Sequence, residues 1–144
     1  MKTILLVEDN LLDAELALNI LSEECATANV ECLRDGEQAV NYLFRRGAFA
    51  SATSADFPIV ILLDLKLPKV NGLEVLQAVK NDPLLRAIPI VMLTSSREER
   101  DLIESYRLGA NAYVVKPVES GEYHDTFRQI GRFWANLNKT PTEK

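Results

Sequence analysis

Polar side chains follow several of the most apolar stretches of the chain. Glu8 and Asp9 come directly after "TILLV", Asp64 ends "PIVILLD", Thr94 lies in "IPIVMLTS" and Lys116 follows "AYVV". An ionised carboxylate costs several kcal/mol or more to bury without a partner. Asp64 is therefore neutralised, paired with a cation, or held at an exposed edge for a purpose.

These residue types together favour phosphoryl chemistry. Three carboxylates that lie close together repel one another, and a divalent cation with oxygen ligands relieves the repulsion. Mg²⁺ is the natural candidate because it takes one or two carboxylates together with phosphate oxygens. An aspartate can itself accept a phosphoryl group, and Mg²⁺ and Lys116 would neutralise the charge of that group. Thr94 could donate a hydrogen bond to the phosphoryl oxygens.

The simpler interpretation is that these polar residues only form turns and helix caps after strands. That interpretation suits any one of them, and Asn10 is predicted to be a helix cap and nothing more. It does not explain why several strands deliver such groups, or why Lys116, which caps no helix start, is one of them. The set as a whole predicts a site.

The elements that position this set alternate strictly along the chain. Four apolar runs are continuous, which is typical of strands covered on both faces, and a weaker run, "NVECL", suits an edge strand. Helical spacing separates the runs over Leu11–Glu24, Gly36–Phe44, Leu73–Lys80, Glu98–Leu108 and Glu119–Leu137. The order βαβαβαβαβα predicts an α/β doubly wound fold with a parallel sheet. Ligands of such sheets bind at the carboxyl ends of the strands, where the polar residues fall.

Composition excludes several classes of protein. The 144 residues, 47% of them hydrophobic, predict one domain with a single core. Sixteen basic and 21 acidic residues give a net charge of −5 with no basic cluster, so no nucleic-acid binding is expected. The apolar start is too short for a signal peptide or a membrane span, which predicts a cytoplasmic protein without membrane contact. Cys25 and Cys32 have no metal-ligand spacing and are assigned no chemistry.

The stretches "LLVEDN", "ILLDLKLPKVNGLEVL", "IPIVMLTSS" and "GANAYVVKPV" resemble the receiver domains of two-component response regulators, over essentially the whole chain. The resemblance implies a (βα)5 fold with strand order 2-1-3-4-5 and Asp64 as the phosphoacceptor. It implies Glu8 and Asp9 as the acidic pair that holds Mg²⁺ with Asp64, Thr94 as the switch hydroxyl, and Lys116 as the phosphate-binding lysine. A receiver only assists its own phosphorylation and dephosphorylation, so no enzyme is predicted.

The resemblance also assigns roles to residues near the site. Tyr113 is the expected aromatic switch residue, and Pro117 is expected to follow a cis peptide bond. The backbone carbonyl of Lys66 is expected to complete the metal shell. The only histidine, His124, is placed on the last helix, away from the site. The phosphodonor is therefore expected to be a sensor histidine kinase, and the output surface is the fourth helix, fifth strand and fifth helix.

Two segments resemble those of the single-domain regulators that serve bacterial phytochromes. One is the long connection at about residues 46–58 and the other is the tail "FWANLNKT". This resemblance implies a phytochrome histidine kinase as the donor. It also predicts one receiver domain over residues 1–144 with no output domain.

The last helix predicts self-association. An extended helix is predicted at about residues 119–138, and its part from Glu119 to Leu137 alone would be about 28 Å long, whereas a typical strand covers about 17 to 20 Å. The helix would overhang its sheet and expose apolar residues there. Tyr113, Phe133, Trp134 and Leu137 are the candidates for a homodimer interface.

Two other functions use similar residues. A haloacid-dehalogenase-type phosphatase has a second aspartate two residues after the first, where this chain has Lys66. A flavodoxin-like or dinucleotide carrier has a Gly-rich phosphate loop, and "VEDNLLD" contains no glycine.

Overall fold

The computed structural model describes residues 2–50 and 57–141. Strands and helices alternate through these residues. The strands are β1 (Lys2–Val7), β2 (Ala28–Leu33), β3 (Val60–Leu63), β4 (Ile90–Thr94) and β5 (Ala112–Val115). The α-helices are α1 (Leu11–Glu24), α2 (Gly36–Leu43), α3 (Gly72–Lys80), α4 (Glu99–Arg107) and α5 (Ser120–Gly131). A short 3₁₀ turn (Gly47–Phe49) follows α2, and a π-helical turn (Arg132–Leu137) follows α5.

The five strands form one parallel sheet in the order β2-β1-β3-β4-β5, which confirms the predicted topology. The strand order reverses at β1, so the crevice beside its carboxyl end lies between the β1–α1 and β3–α3 loops. Val7 pairs with Leu63 in the register of β1 and β3. The residues that follow these two strands are therefore neighbours.

Apolar side chains cover both faces of the sheet. Leu5 and Val7 point to the face covered by α2 and α3, while Ile4 and Leu6 point to the face covered by α1 and α5. This two-sided burial explains why the runs are continuous instead of alternating. Strand β2 keeps several half-exposed residues, as expected of an edge.

Capping residues determine where several helices begin. The side chain of Asn10 accepts a hydrogen bond from the Asp13 amide at 3.0 Å, which confirms it as the N-cap of α1. Asn71 and Glu74 form a reciprocal capping box at the start of α3. Helices α1 to α4 begin and end within one residue of the predicted positions. None of the helices in the described parts of the chain is both long and apolar enough to cross a membrane.

The last helix differs from the prediction of one regular helix. Its α-helical part ends at Gly131, and the chain continues as the π-helical turn. A Cβ atom at Gly131 would lie 2.8 Å from the Cys25 sulfur, so glycine allows α5 to pack closely on the end of α1. Arg132 then pairs with Glu24 at the same place.

The long connection is described in part, because residues 51–56 of the predicted loop at 46–58 lie outside the described residues. The described flanks pack together. The rings of Tyr42 and Phe49 meet edge to face, 5.2 Å apart, and the Arg45 guanidinium lies over the rings of Tyr42 and Phe57.

Candidate functional site

Three carboxylates meet at the carboxyl ends of β1 and β3. Glu8, Asp9 and Asp64 each offer one oxygen, and these oxygens lie within 4.8 Å of one another. The Asp64 amide donates to the Val7 carbonyl at 3.1 Å, which ties the two strand ends together. Glu8 and Asp64 are buried, while Asp9 is exposed. The cluster therefore presents hard oxygen donors with one side open to solvent, which fits a divalent cation.

Lys116 provides the positive charge of the site from the end of β5. Its ammonium hydrogen-bonds to a carboxylate oxygen of Glu8 and to Asp64 Oδ2, the latter at 3.1 Å. A third carboxylate, that of Asp13, lies 3.8 Å from the same nitrogen. Asp64 is thus both paired with a cation and placed at the open end of its strand.

Burial disfavours the charged forms of both Glu8 and Lys116. Burial raises the pKa of Glu8, and the neighbouring Lys116 ammonium offsets only part of that effect. Burial alone would lower the pKa of Lys116, but its hydrogen bond to Glu8 and the charge of Asp64 raise that pKa overall. Lys116 therefore carries its positive charge at neutral pH.

The β3–α3 loop shapes the open side of the site. The Lys66 amide donates to Asp64 Oδ1 at 3.3 Å, so both oxygens of Asp64 accept hydrogen bonds. The Lys66 side chain is exposed, and its backbone carbonyl stays a predicted metal ligand. An open cavity of about 460 Å³ adjoins Asp9 and this loop, and its lining also includes Leu65, Leu67, Pro68, Asn71 and Leu73.

Thr94 and Tyr113 are connected through Ser96. The buried Thr94 hydroxyl oxygen accepts a hydrogen bond from the Ser96 amide at 3.2 Å, and the Tyr113 hydroxyl donates to the Ser96 carbonyl at 3.1 Å. Tyr113 is half-buried and packs against the core. The two predicted switch residues, Thr94 and Tyr113, therefore both hydrogen-bond to the backbone of Ser96.

The peptide bond between Lys116 and Pro117 is trans, so the expected cis bond is wrong; no described peptide bond is cis. The trans form of an X–Pro bond is favoured by about 0.5–1 kcal/mol. Lys116 contacts Glu8 and Asp64 with this trans bond in place.

The predicted interface residues do not share one environment. Phe133 and Leu137 are 46% and 72% exposed. Trp134 is instead half-buried against the core between the sheet, α1 and α5, with its ring edge to face with Phe133. His124 is exposed on α5, as expected.

Sequence reasoning missed two residues of the site, Asp13 and Ser96. Asp13 lies one helical turn after the acidic pair, and this i+4 spacing from Asp9 was the available signal. Ser96 lies two residues after Thr94 in "TSS". No pattern in the sequence identified the backbone of Ser96 as the link to Tyr113.

Comparison with known proteins identifies the family. Residues 4–128 match the response regulator receiver domain. The chain belongs to this family. It is 38% identical over 140 residues to response regulator Rcp1 of a Synechocystis strain. The alignment covers 97% of this chain and 93% of Rcp1. As a receiver domain it belongs to phosphorelay signalling, so a dehalogenase-type phosphatase or a flavodoxin-like carrier is set aside.

Solved structures extend the likeness to phytochrome response regulators. The phosphorylated cyanobacterial phytochrome response regulator RcpA superposes with a TM-score of 0.91 at 38% identity, over 97% of this chain and 98% of RcpA. The bacteriophytochrome response regulator RtBRR is 54% identical, with a TM-score of 0.77 over 98% of this chain and 84% of RtBRR. The Mn²⁺-bound form of Rcp1 has a TM-score of 0.91 at 37% identity, over 98% of this chain and 99% of Rcp1. Together with the acidic cluster, the Mn²⁺-bound form of Rcp1 supports divalent-metal binding by this chain.

Proposed function

We propose that this receiver accepts a phosphoryl group on Asp64 from the phosphohistidine of a sensor histidine kinase in the cytoplasm. The observation that carries the proposal is the environment of Asp64. One of its carboxylate oxygens lies within 4.8 Å of an oxygen of Glu8 and an oxygen of Asp9, and Oδ2 lies 3.1 Å from the Lys116 ammonium. This arrangement supplies a nucleophile, an ammonium beside it, and two further carboxylates that could hold a cation on the other side.

In the transfer step, one Asp64 oxygen forms a bond to phosphorus as the bond from phosphorus to the donor imidazole nitrogen breaks. The electron pair of the broken bond stays on the imidazole. Lys116 neutralises the new phosphoryl oxygens, and the Thr94 hydroxyl rotates away from the Ser96 amide to donate to one of them. The chain needs no further catalytic group, because phosphoryl transfer depends mainly on position and charge.

The metal that fits this site best is Mg²⁺. The carboxylates of Glu8, Asp9 and Asp64 and the backbone carbonyl of Lys66 would hold it, and all of these are hard oxygen donors. When bound, Mg²⁺ supplies positive charge that offsets the charge on the transferred group. The exposed position of Asp9 leaves room for water and phosphoryl oxygens on that side.

The output surface would be formed by α4, β5 and α5. Rotation of the Thr94 hydroxyl would free the Ser96 amide, and Ser96 is the residue that holds the Tyr113 hydroxyl. Several apolar side chains of α4 are already exposed at this surface: Leu102, Ile103 and Tyr106. Phosphorylation would thereby bias a surface suited to a second copy of the chain.

The proposed donor is a phytochrome-type kinase. The support is the high identity to RtBRR and the close superposition on RcpA, both phytochrome response regulators. Phosphotransfer from a panel of purified histidine kinases of the same organism, with and without a phytochrome kinase, tests this choice. Faster transfer from a kinase without a phytochrome sensor would contradict it.

Incubation with acetyl phosphate and Mg²⁺ tests the chemistry itself. Intact-mass measurement should show one added phosphoryl group on the wild type and none on Asp64→Asn, because the amide keeps the shape but lacks the nucleophile. Asp125→Asn, which removes an exposed carboxylate from α5, is the matched control and should label like the wild type. Equal labelling of Asp64→Asn and wild type would exclude Asp64 as the acceptor.

A further inference from the structure

Asp13 faces the phosphorylation site from the first turn of α1. Its carboxylate lies 3.8 Å from the Lys116 ammonium, and its side chain is 39% exposed, against 9% for Lys116. Both the amide and the carbonyl of Asp13 form hydrogen bonds to side chains. The Asp13 amide donates to the Asn10 side chain at 3.0 Å, and its carbonyl accepts the buried Tyr123 hydroxyl at 3.1 Å. The packing of α1 on α5 therefore fixes the backbone from which the Asp13 side chain approaches Lys116.

Asp13 differs from the other two carboxylates that face Lys116. Glu8 and Asp64 belong to the cluster that can hold a divalent cation, and Asp13 is not in that cluster. A bound cation would weaken the attraction of Glu8 and Asp64 for Lys116, because their carboxylates would then face two positive groups. A bound cation would not weaken the attraction between the Asp13 carboxylate and the Lys116 ammonium in this way. Asp13 would therefore still attract the ammonium when a phosphoryl group is present.

We propose that Asp13 is a positioning residue that competes with the phosphoryl group for Lys116. The inference rests on the proposed function. A negative charge at this distance from the ammonium weakens the attraction of Lys116 for the anionic phosphoryl group. Asp13 thereby shifts the balance toward the unphosphorylated receiver. Because Asp13 is partly exposed, salt screens this effect.

The test measures the affinity for beryllofluoride, an anionic phosphoryl mimic, at saturating Mg²⁺ by isothermal titration calorimetry. Asp13→Asn should bind it about fivefold more tightly, since unit charges about 4 Å apart interact by roughly 1 kcal/mol even at the dielectric constant of water. The gain should shrink between low and high salt. Asp13→Glu keeps the charge and should bind like the wild type.

Glu15→Gln is the matched control because it removes one negative charge from the same helix at an exposed position. It should leave beryllofluoride affinity unchanged, and melting temperatures of all variants should show that they are folded. Affinity of Asp13→Asn that equals the wild type, falls below it, or is matched by Glu15→Gln would overturn the inference. If the wild type binds no beryllofluoride and takes no phosphoryl group from acetyl phosphate, the proposed function itself fails.

Discussion

A single buried cation organises the charges of the site. Lys116 faces three carboxylates, two of which are almost fully buried. Breaking a buried ion pair by removing one partner is costly because the remaining charge has lost its compensation. Loss of this ammonium is therefore expected to destabilise the metal-free receiver.

Lys116→Ala should destabilise the metal-free protein by about 2–4 kcal/mol at pH 8 in urea unfolding, since Glu8 and Asp64 then lose their cation. The loss should be smaller at pH 5.5. Burial raises the pKa of Glu8 and the Lys116 ammonium lowers it, so the pKa of Glu8 rises further in the folded variant. The folded variant then keeps a proton that the unfolded chain releases, and its stability falls more steeply than that of the wild type as pH rises.

Saturating Mg²⁺ should restore much of the stability lost in Lys116→Ala, because a ligand that binds only the folded state stabilises it. Lys66→Ala, which removes an exposed amino group beside the site, is the control and should change stability little. A pH-independent loss in Lys116→Ala would show that packing, and not charge, accounts for its effect.

The β2–α2 turn contacts the β3–α3 loop, which adjoins Asp64 and includes Lys66. Gly36 begins α2 and its amide donates to the Pro68 carbonyl at 3.3 Å. A Cβ atom at Gly36 would lie 1.6 Å from the Val70 carbonyl oxygen, so any side chain must displace the loop. Lys69 of the same loop forms an ion pair with Asp35 at 3.9 Å.

Gly36→Ala should lower the free energy of unfolding by about 2 kcal/mol or more and weaken Mg²⁺ binding, because the displaced loop carries Lys66 and adjoins Asp64. Urea unfolding and a Mg²⁺ titration measure the two effects. Gly121→Ala is the control, since its Cβ would meet only the Glu119 side chain at 3.5 Å. If Gly36→Ala is destabilised but binds Mg²⁺ as tightly as the wild type, the turn does not influence the metal site.

Helix α4 contains a polar group that its packing does not satisfy. Ser105 is fully buried, and its hydroxyl oxygen finds no hydrogen-bond partner among the described residues. Ser105→Ala should therefore stabilise the unphosphorylated protein by about 1 kcal/mol, by removing an unmet hydrogen-bonding group. Thermal unfolding, with the exposed Ser95→Ala as control, measures the change. Destabilisation would indicate that the hydroxyl is satisfied.

On the scale of the whole molecule, exposed apolar side chains lie on α4 and on the π-helical turn after α5. Ile103 is 58% exposed, and Phe133 and Leu137 are exposed to a similar or greater degree. Exposed apolar side chains are candidates for association surfaces. The half-buried Trp134 is better placed to hold the turn against the core than to contact a partner.

We expect the wild type to dimerise, with an association constant that changes when beryllofluoride and Mg²⁺ are added. The double variant Phe133→Ala, Leu137→Ala should dimerise at least tenfold more weakly, because it loses exposed apolar area. Leu84→Ala, 69% exposed between α3 and β4, is the control. Sedimentation measures all three, and a wild type that is monomeric in both conditions at high micromolar concentration would exclude the dimer.

The sequence by itself determined the doubly wound parallel sheet and the residues at the strand ends, while the strand order was implied by the resemblance to receiver domains. Continuous apolar runs separated by helical spacing allow few folds other than a parallel sheet, and such a sheet brings the ends of its strands to one edge. For this reason Glu8, Asp9, Asp64 and Lys116 could be predicted to meet, and they do.

Only the tertiary structure decided which groups contact one another at that edge. The approach of Asp13 to Lys116 depends on how α1 packs against α5, and the contact of Gly36 with Val70 depends on two loops that are distant in sequence. The π-helical turn after Gly131 and the trans bond before Pro117 are likewise seen only in the tertiary structure. Periodicity reports which face of an element is buried, whereas contacts of a few ångströms between elements depend on the positions of all of them.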